Sequence, residues 1–566
     1  MESINNVNFE YVKQLTNIFY EFMGNTYIEH KKLQKKIIES TIENNIQLIS
    51  DIHITDTEPV VTEPINKHQT FSEYFLFKLY YNYGIKRQIV NNHIALLYYS
   101  KTSKGYKPNE PITILCRHML LDTNNMRIIS LGIPKSINID DFCNTYEIDK
   151  TKFETNSSNV ELDVRKLKTR VYKFSEGTML TYNPSLKKYN ITEPLDFNYD
   201  ADATTLEATT LEKTIATSFN HQFIYCTRKV IGTGRFNGSK TFLEMFDENN
   251  SIANTNLYNI PEPIMKDKVL VFNIEHPDNK IISKEVRNYN TLCAVFQFKD
   301  EESSQQAYDK IVKIVNIEDG IESSNETVSK LILEAFHSLG NNMITQIQVS
   351  VFKKQVCEYN VNLHLPEVIK SFEKINEKGD TVITKIEDVS IEQLQAIVSN
   401  KPKEFQGYII YGLNGERTKL INSKYKDLRH LKGNKPINIA EDNIKNLFFL
   451  YWRLVKENKV NDFIREFDNT NEYTTGFDRV YTRIFNWFLS ITRCYALNLF
   501  NVYHDSFVKR TMQKTEIRYS MKPLCGDLHK LYIANKLPIT KKMVEEYIFE
   551  QPDTKMFWRL FLDNKE

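Results

Sequence analysis

The chain has 566 residues, of which 41% are hydrophobic, 12% aromatic and 26% charged. That composition is globular, with material for about three or four domains, and 17 Gly and 16 Pro are too few for a collagen-like or linker-rich protein. Lys and Arg number 73 against 72 Asp and Glu, so the net charge of +1 excludes a uniformly basic nucleic-acid coat but not a local basic face.

Residues 1 to about 105 read as a mostly helical domain. Tyr11, Leu15, Ile18 and Phe22 recur at helical spacing, and SEYFLFKLYYNYGI repeats the pattern after a Pro-containing loop, DIHITDTEPVVTEPIN. From about 106 to 435 the texture is β-rich. PITILCRHMLLD, RIISLGI, VYKFSEGTMLTYN, HQFIYCTRKV and DKVLVFNIEH are short runs between turn residues, and FQGYIIYGLNGERTKLIN carries a hairpin at Leu413-Asn414-Gly415. Two insertions are expected, about 193–220 around a polar TTLEATTLE loop, and about 300–400. The second mixes a helical SNETVSKLILEAFHSL, a strand-like TQIQVSVFKKQV and a helical SIEQLQAIVS. From about 436 to 566 the chain is helical again, with Phe477, Val480, Tyr481, Ile484, Phe488, Ile491 and Tyr495 at three- and four-residue steps.

No stretch approaches 18 uncharged apolar residues, so neither a transmembrane helix nor a membrane partner is expected. MESINNVNFEYVKQL lacks a basic segment followed by an apolar run, so no secretory signal is expected. The seven cysteines (116, 143, 226, 293, 357, 494 and 525) never form a Cys-x-x-Cys pair. That favours a reducing, cytoplasmic setting and gives no structural metal site.

Five separated segments resemble, in order, the motifs of phage-type RNA ligases of the covalent nucleotidyltransferase superfamily. ILCRHMLLDTNNMRIISLGIPKSINIDDF resembles the segment before the active site. Glu176-Gly177-Thr178 resembles the end of Lys-x-Asp/Glu-Gly-Ser/Thr, and Thr227-Arg228 the next strand. Phe272, Pro277, Asn279, Lys280 and Ile281 resemble Phe-Glu-Leu-x-x-Pro-x-Asn-Arg-Ile; Gly407, Tyr408, Arg417 and Lys419 resemble the paired late motifs. The resemblance covers about residues 110–430. It implies an α+β fold, with an antiparallel-sheet, ATP-grasp-like nucleotidyltransferase domain flanked by mostly helical domains. In that family a lysine attacks a nucleotide α-phosphate, later cations hold the phosphates, and carboxylates bind metal or ribose.

The chain departs from the pattern at the reacting groups. Phe174 stands at the nucleophile position, with Lys173 one residue early, and in a strand that shift turns the side chain to the opposite face. Asn273 and Gln406 replace two carboxylates. Glu275 and Glu404 lie two residues away on the same strand faces, but about 6–7 Å along the strand. The expectation is therefore a degenerate ligase that forms no lysyl–nucleotide and requires no cofactor or metal. The alternative is an active ligase using Lys173, ATP and Mg, and a third is a structural subunit of a viral assembly.

What survives is binding apparatus. Arg117, Glu176, Arg228, Lys229, Lys280, Arg417 and Lys419 stand where the family contacts nucleotide or RNA, and of these Arg228, Lys280, Arg417 and Lys419 are expected to line one solvated cationic cleft. Lys424, Lys426, Arg429, His430 and Lys432, with Tyr425 interleaved, extend it as a backbone-and-base surface. The expected partner is RNA, through a 5′ end, a cap or a nucleotide. The resemblance of the C-terminal segment to the helical tail of large viral ligases implies a module for substrate or for viral or host proteins. The Asn-, Ile-, Lys- and Tyr-rich composition fits an AT-rich genome. With the ligase pattern it is similar to proteins of large cytoplasmic DNA viruses, which places the chain in host cytoplasm or virion. GTGRFNG reads as a β-turn, His276 as a turn histidine, and Phe477, Phe485, Trp487 and Phe488 as core.

Overall fold

The structure is a computed structural model. It describes residues 10–43, 70–91, 93–145, 170–184, 224–227, 240–279, 282, 287–318, 325–341, 343–375, 381–385, 391–412, 415–433, 444–468 and 480–562. The chain divides into two compact units, Met1–Lys401 with Phe405–Asn422, and Pro402–Glu404 with Ser423–Glu566. Helices and antiparallel sheets occur together in the first unit, which makes the protein α+β.

The first unit holds β1 (Ile85–Asn91), β2 (Ile94–Tyr99), β3 (Met119–Asp122), β4 (Arg127–Leu131), β5 (Arg170–Phe174), β6 (Thr178–Asn183), β7 (Ile224–Cys226), β8 (Lys268–Glu275), β9 (Tyr289–Phe298), β10 (Ile344–Ile347), β11 (Ser371–Ile375), β12 (Thr381–Lys385), β13 (Gly407–Tyr411) and β14 (Arg417–Ile421). They form sheets of order β1-β2-β3-β4, β10-β9-β8-β6-β7, β11-β12 and β14-β13-β5. Three apolar clusters support them. The largest joins β2–β4 to β8 and β9 and to several helices, among them Glu10–Glu43 and Asn325–Gly340; a second lies on the other face of β8, where Leu270, Phe272 and Ile274 alternate with Val269 and Val271. The third packs Phe142, Val171, Phe372, Leu394, Tyr408, Ile410 and Leu420 under the three-stranded sheet.

The N-terminal 105 residues are not a helical domain of their own. Leu15, Phe19, Tyr20 and Met23 of the Glu10–Glu43 helix share a core with Val328, Ile332 and Phe336 of the Asn325–Gly340 helix. The Tyr20 hydroxyl accepts the Ile128 backbone N–H at 3.2 Å. Residues 85–99 form a hairpin in one sheet with β3 and β4. A continuous apolar run such as IALLYY reads equally as buried strand or helix, which hid the hairpin.

The 300–400 stretch is likewise integral rather than inserted, since β10 completes the five-stranded sheet through Ile344↔Phe298. Two local readings also change. PITIL is a helical turn with proline in its first position, and β3 begins only at Met119. TQIQVSVFKKQV is strand only to Ile347; Val349–Cys357 is helical, burying Phe352 and Val356 four residues apart. TTLEATTLE, GTGRFNG, the 51–66 loop and Leu413-Asn414 lie outside the described residues.

Apart from Pro402–Glu404, the second unit runs from Ser423, ahead of the expected boundary at 435, and its regular elements among the described residues are helices. Its core stacks Phe448 on Trp452 at 5.1 Å and sets Phe488 edge-on to Phe448 at 5.3 Å. Phe485 and Phe488 are core as expected, but Trp487 is exposed and Phe477 is outside the described residues.

Candidate functional site

Antiparallel pairing decides which side chains share a face. In β14-β13-β5 the register sets Phe174 opposite Gly407, Lys173 opposite Tyr408, Tyr172 opposite Ile409 and Lys419 opposite Ile409. Directly paired residues project to the same side, so Tyr172, Phe174, Tyr411, Arg417 and Lys419 share one face. Lys173 belongs to the other, with Val171, Tyr408 and Ile410. The Lys419 ammonium lies 4.2 Å from the Phe174 ring centroid, a cation–π contact at the position where the family resemblance sets a nucleophile. Lys173 donates its backbone N–H to Glu367.

The motif glycines have physical causes. Gly407 has φ +145°, and a Cβ there would stand 1.9 Å from the Leu420 carbonyl oxygen, so no side chain fits where β13 crosses β14. A Cβ on Gly177 would lie 2.6 Å from Asn273 Oδ1 and from the Ile274 carbonyl oxygen. Its neighbours fasten the same corner. The Glu176 carboxylate accepts the Ile282 backbone N–H at 2.9 and 3.1 Å, and Thr178 donates to Asn279 Oδ1 at 3.0 Å. Glu176, expected among the nucleotide contacts, thus ties the β5–β6 corner to the segment after β8.

The cations meet where the small sheet approaches β9. Arg417 is 6% exposed rather than solvated, and its Nε donates to the Pro134 carbonyl at 3.0 Å. Its Nη2 is buried with no hydrogen-bond partner among the described residues. Arg117 reaches the adjacent Ile133 carbonyl at 3.5 Å. Both guanidinia act on Cys293, whose thiol burial pushes up to about 12 against the pull of Arg417, with Glu275 adding to the rise. Burial also raises the Tyr411 phenol, opposed by Arg417, to which it is hydrogen-bonded. Tyr172 meets Tyr411 edge-on at 5.4 Å. Burial lowers the Lys135 ammonium, and its positive neighbours Lys101 and Arg117 lower it further.

Glu275 is the carboxylate of this neighbourhood. Burial raises it above its ordinary value, opposed by Arg287, by a hydrogen bond with Ser175, by Lys173 and by a hydrogen bond with Asn273. The sequence brought Glu275 forward only as a distant substitute for Asn273; the fold gives it Lys173 as an electrostatic neighbour. Cys293, Tyr411 and Tyr172 were not singled out from sequence. Tyr411 and Tyr172 lie on strands that a motif already marked, and alternation from Arg417 or Phe174 would have found them. Cys293 sits at a register shift of β9, which alternation cannot anticipate.

Arg228, Lys229 and Lys280 lie outside the described residues. Lys424, Lys426 and Arg429 belong to the second unit, on the Ser423–Lys432 helix. Tyr425 is no surface for bases: it is 1% exposed, because Tyr425, Leu428 and Leu431 form that helix's apolar stripe. Arg429 donates to the Tyr425 hydroxyl at 3.4 Å, and Arg453 caps the helix through the His430 and Leu431 carbonyls. Gln406 is buried, its Oε1 without a hydrogen-bond partner among the described residues. His276 bonds Glu248 at 3.0 Å and accepts the Asp278 N–H, a turn histidine in an ion-pair network with Lys240.

Among the described residues no group of three His, Cys, Asp or Glu side chains is placed to hold a metal ion. Compared with known proteins, the chain matches no family model and no curated protein.

Proposed function

We propose that the first unit is an RNA-ligase-like nucleotidyltransferase fold that binds the phosphate of a nucleotide or an RNA 5′ end, and does not transfer the nucleotide. One observation carries this: Arg417 is buried, fixed through Nε, and keeps an Nη2 that no acceptor meets among the described residues. A desolvated guanidinium N–H with no acceptor is costly, and a bidentate oxyanion is the partner its geometry suits. Arg117 stands beside it on the neighbouring carbonyl. The motif segments support the fold reading, because strands far apart in sequence become neighbours: β5 with β13, β6 with β8, and β6 with β7 through Thr181↔Cys226.

Phe174 under Lys419 and Lys173 on the opposite face support loss of the covalent step. The divalent metal of the enzymatic alternative fits this donor set poorly: amides stand at 273 and 406, and Glu176 is engaged by Ile282. One observation favours that alternative, the Glu275 carboxylate near Lys173.

The test has two arms. Incubation with labelled ATP and Mg or Mn should give no covalent adduct; an adduct absent in Lys173→Ala would establish the ligase. Binding of 5′-phosphorylated RNA should exceed that of the 5′-hydroxyl form, and Arg417→Gln should erase the difference. Equal affinity of the wild type for both would remove the phosphate site.

A further inference from the structure

In the second unit, the Lys522–Asn535 helix begins as an ordinary core helix. Leu524, Cys525 and Leu528 are buried with Met521. Continued at helical spacing, that stripe reaches Leu531 and Tyr532, which are exposed. Every residue from Lys530 to Pro538 is exposed, including the consecutive Leu531, Tyr532, Ile533 and Ala534. Successive positions of a helix point about 100° apart, so these four present apolar surface around the whole circumference. Ile533 and Leu537 are each 60% exposed. The helix overhangs its own core.

The overhang is built onto a firm base. Tyr503 stacks on Phe507 at 5.4 Å and Phe507 packs on His529 at 4.6 Å; His529 stacks on Tyr532 at 6.0 Å. Cations stand around it. Lys514 lies 4.6 Å from the Phe507 ring, and Lys541 lies 5.8 Å from Phe500, whose neighbour His504 is within 3.3 Å of the Ile539 carbonyl. Between Asp505 and Lys542 there are nine Lys or Arg and three Asp or Glu, in a chain of net +1. Asp505 and Asp527 are already paired with Lys509 and Lys530, each at 3.0 Å.

The geometry points to the end of this helix and the residues just past it, Leu531–Leu537 with its flanking lysines, as a contact that enters the headgroup boundary of an anionic lipid bilayer. Apolar surface on all sides of one short tip suits immersion in a medium better than packing on one partner face. Tyr532 is the one aromatic residue of Leu531–Leu537, so the tip offers little for base stacking. Lysines around an apolar tip are the arrangement that binds an anionic interface, and Tyr suits the headgroup level. No helix among the described residues is long and apolar enough to cross a membrane, and surface contact needs none. The expectation of no membrane partner rested on spanning length alone.

The full chain should co-sediment with vesicles of phosphatidylcholine containing about a third phosphatidylserine and not with pure phosphatidylcholine, more weakly as salt rises. Ile533→Asp with Leu537→Asp should abolish the binding while leaving the melting temperature unchanged, because both side chains are exposed. Lys541→Glu with Lys542→Glu should weaken it about fivefold for each lysine reversed. Acidic residues favour the first turn of the Lys541–Glu550 helix, so this second variant keeps the fold even if the first does not. Absence of vesicle binding, equal binding to neutral vesicles, or vesicle binding indifferent to the lysine pair would each overturn the proposal. So would loss of single-stranded RNA binding in both variants with vesicle binding intact, which would make the tip a nucleic-acid surface.

Discussion

Two groups of cations, one in each unit, carry their charge in opposite ways. In the first, Arg417 is buried and held by a backbone carbonyl, Arg117 stands on the next carbonyl, and the nearby Lys135 ammonium is depressed by burial and like charge. In the second, Lys530 and Lys542 are at least 80% exposed, with their carboxylate partners one helical turn away. Exposed pairs of that kind contribute little to stability and keep their charge in water. A buried guanidinium with an unmet N–H loses its hydration and gains only part of a replacement. The contrast separates charge that a ligand can complete from charge that solvent already satisfies. Neither class is visible in the overall balance of 73 against 72.

The largest expected effect tests the frame that holds Arg417. Gly407→Ala puts a methyl group 1.9 Å from the Leu420 oxygen at a φ of +145°, so β13 and β14 must separate. A loss of about 3–5 kcal/mol is expected, in the range of strained-backbone and overpacking substitutions together. Chemical denaturation measures it. A loss below about 1 kcal/mol would mean that the pairing which positions Arg417 beside β9 is not the one described.

Arg417→Gln is next. It removes the Nε bond to Pro134 and the bond to Tyr411, so about 1–3 kcal/mol of stability should go, contrary to the sequence expectation of a solvated and dispensable cation. The sharper measurement is ligand-dependent melting. Wild type should gain about 2.7 kcal/mol at a 5′-phosphorylated oligonucleotide concentration a hundredfold above Kd, and the variant should gain nothing from the phosphate. Equal gains would move the phosphate site away from Arg417.

Glu275 tests the same region through pH. Burial raises its folded value above the ordinary 4.5, so the protonated form favours folding. That contribution is complete below about pH 4.5 and is lost as pH rises through the folded value. Relative to Glu275→Gln, wild type should therefore lose melting temperature over the interval in which pH rises above about 4.5. A difference that is flat over that interval, or that grows with pH, would mean that Lys173 and Arg287 dominate and that the pair is a true ion pair.

Much of this arrangement was legible in the sequence, and the illegible parts have reasons. The β-rich middle and the helical C-terminal part follow from alternation and helical spacing. The β1–β2 hairpin did not, because an unbroken apolar run has no period to read. The burial of Tyr425 was available from its spacing to Leu428 and Leu431, but the lysines around it drew the reading toward a binding surface. That Arg417 is buried could not be read at all. It depends on the 134–137 segment lying along β14, where Ile137 donates to the Arg417 carbonyl, and no local pattern specifies that contact.

The smallest effect divides the two kinds of charge most directly. Lys424 and Lys426 lie on the outer side of the Ser423–Lys432 helix, exposed, while Tyr425, Leu428 and Leu431 face its core. Lys424→Ala with Lys426→Ala should leave stability within about 0.5 kcal/mol, since alanine favours helix and no buried group changes. If RNA backbone reaches this helix, each lost contact lowers the single-strand salt slope by about 0.7, and affinity falls alike for every RNA end. The preference for a 5′-phosphate over a 5′-hydroxyl should not move, because that preference is assigned to Arg417 and Arg117. A salt titration of both RNA forms on wild type and the double variant reads slope and preference together. A change in preference with the slope unchanged would place recognition of the phosphate on the exposed helix, and the distinction between buried and solvated cations would then fail where it makes its most specific claim.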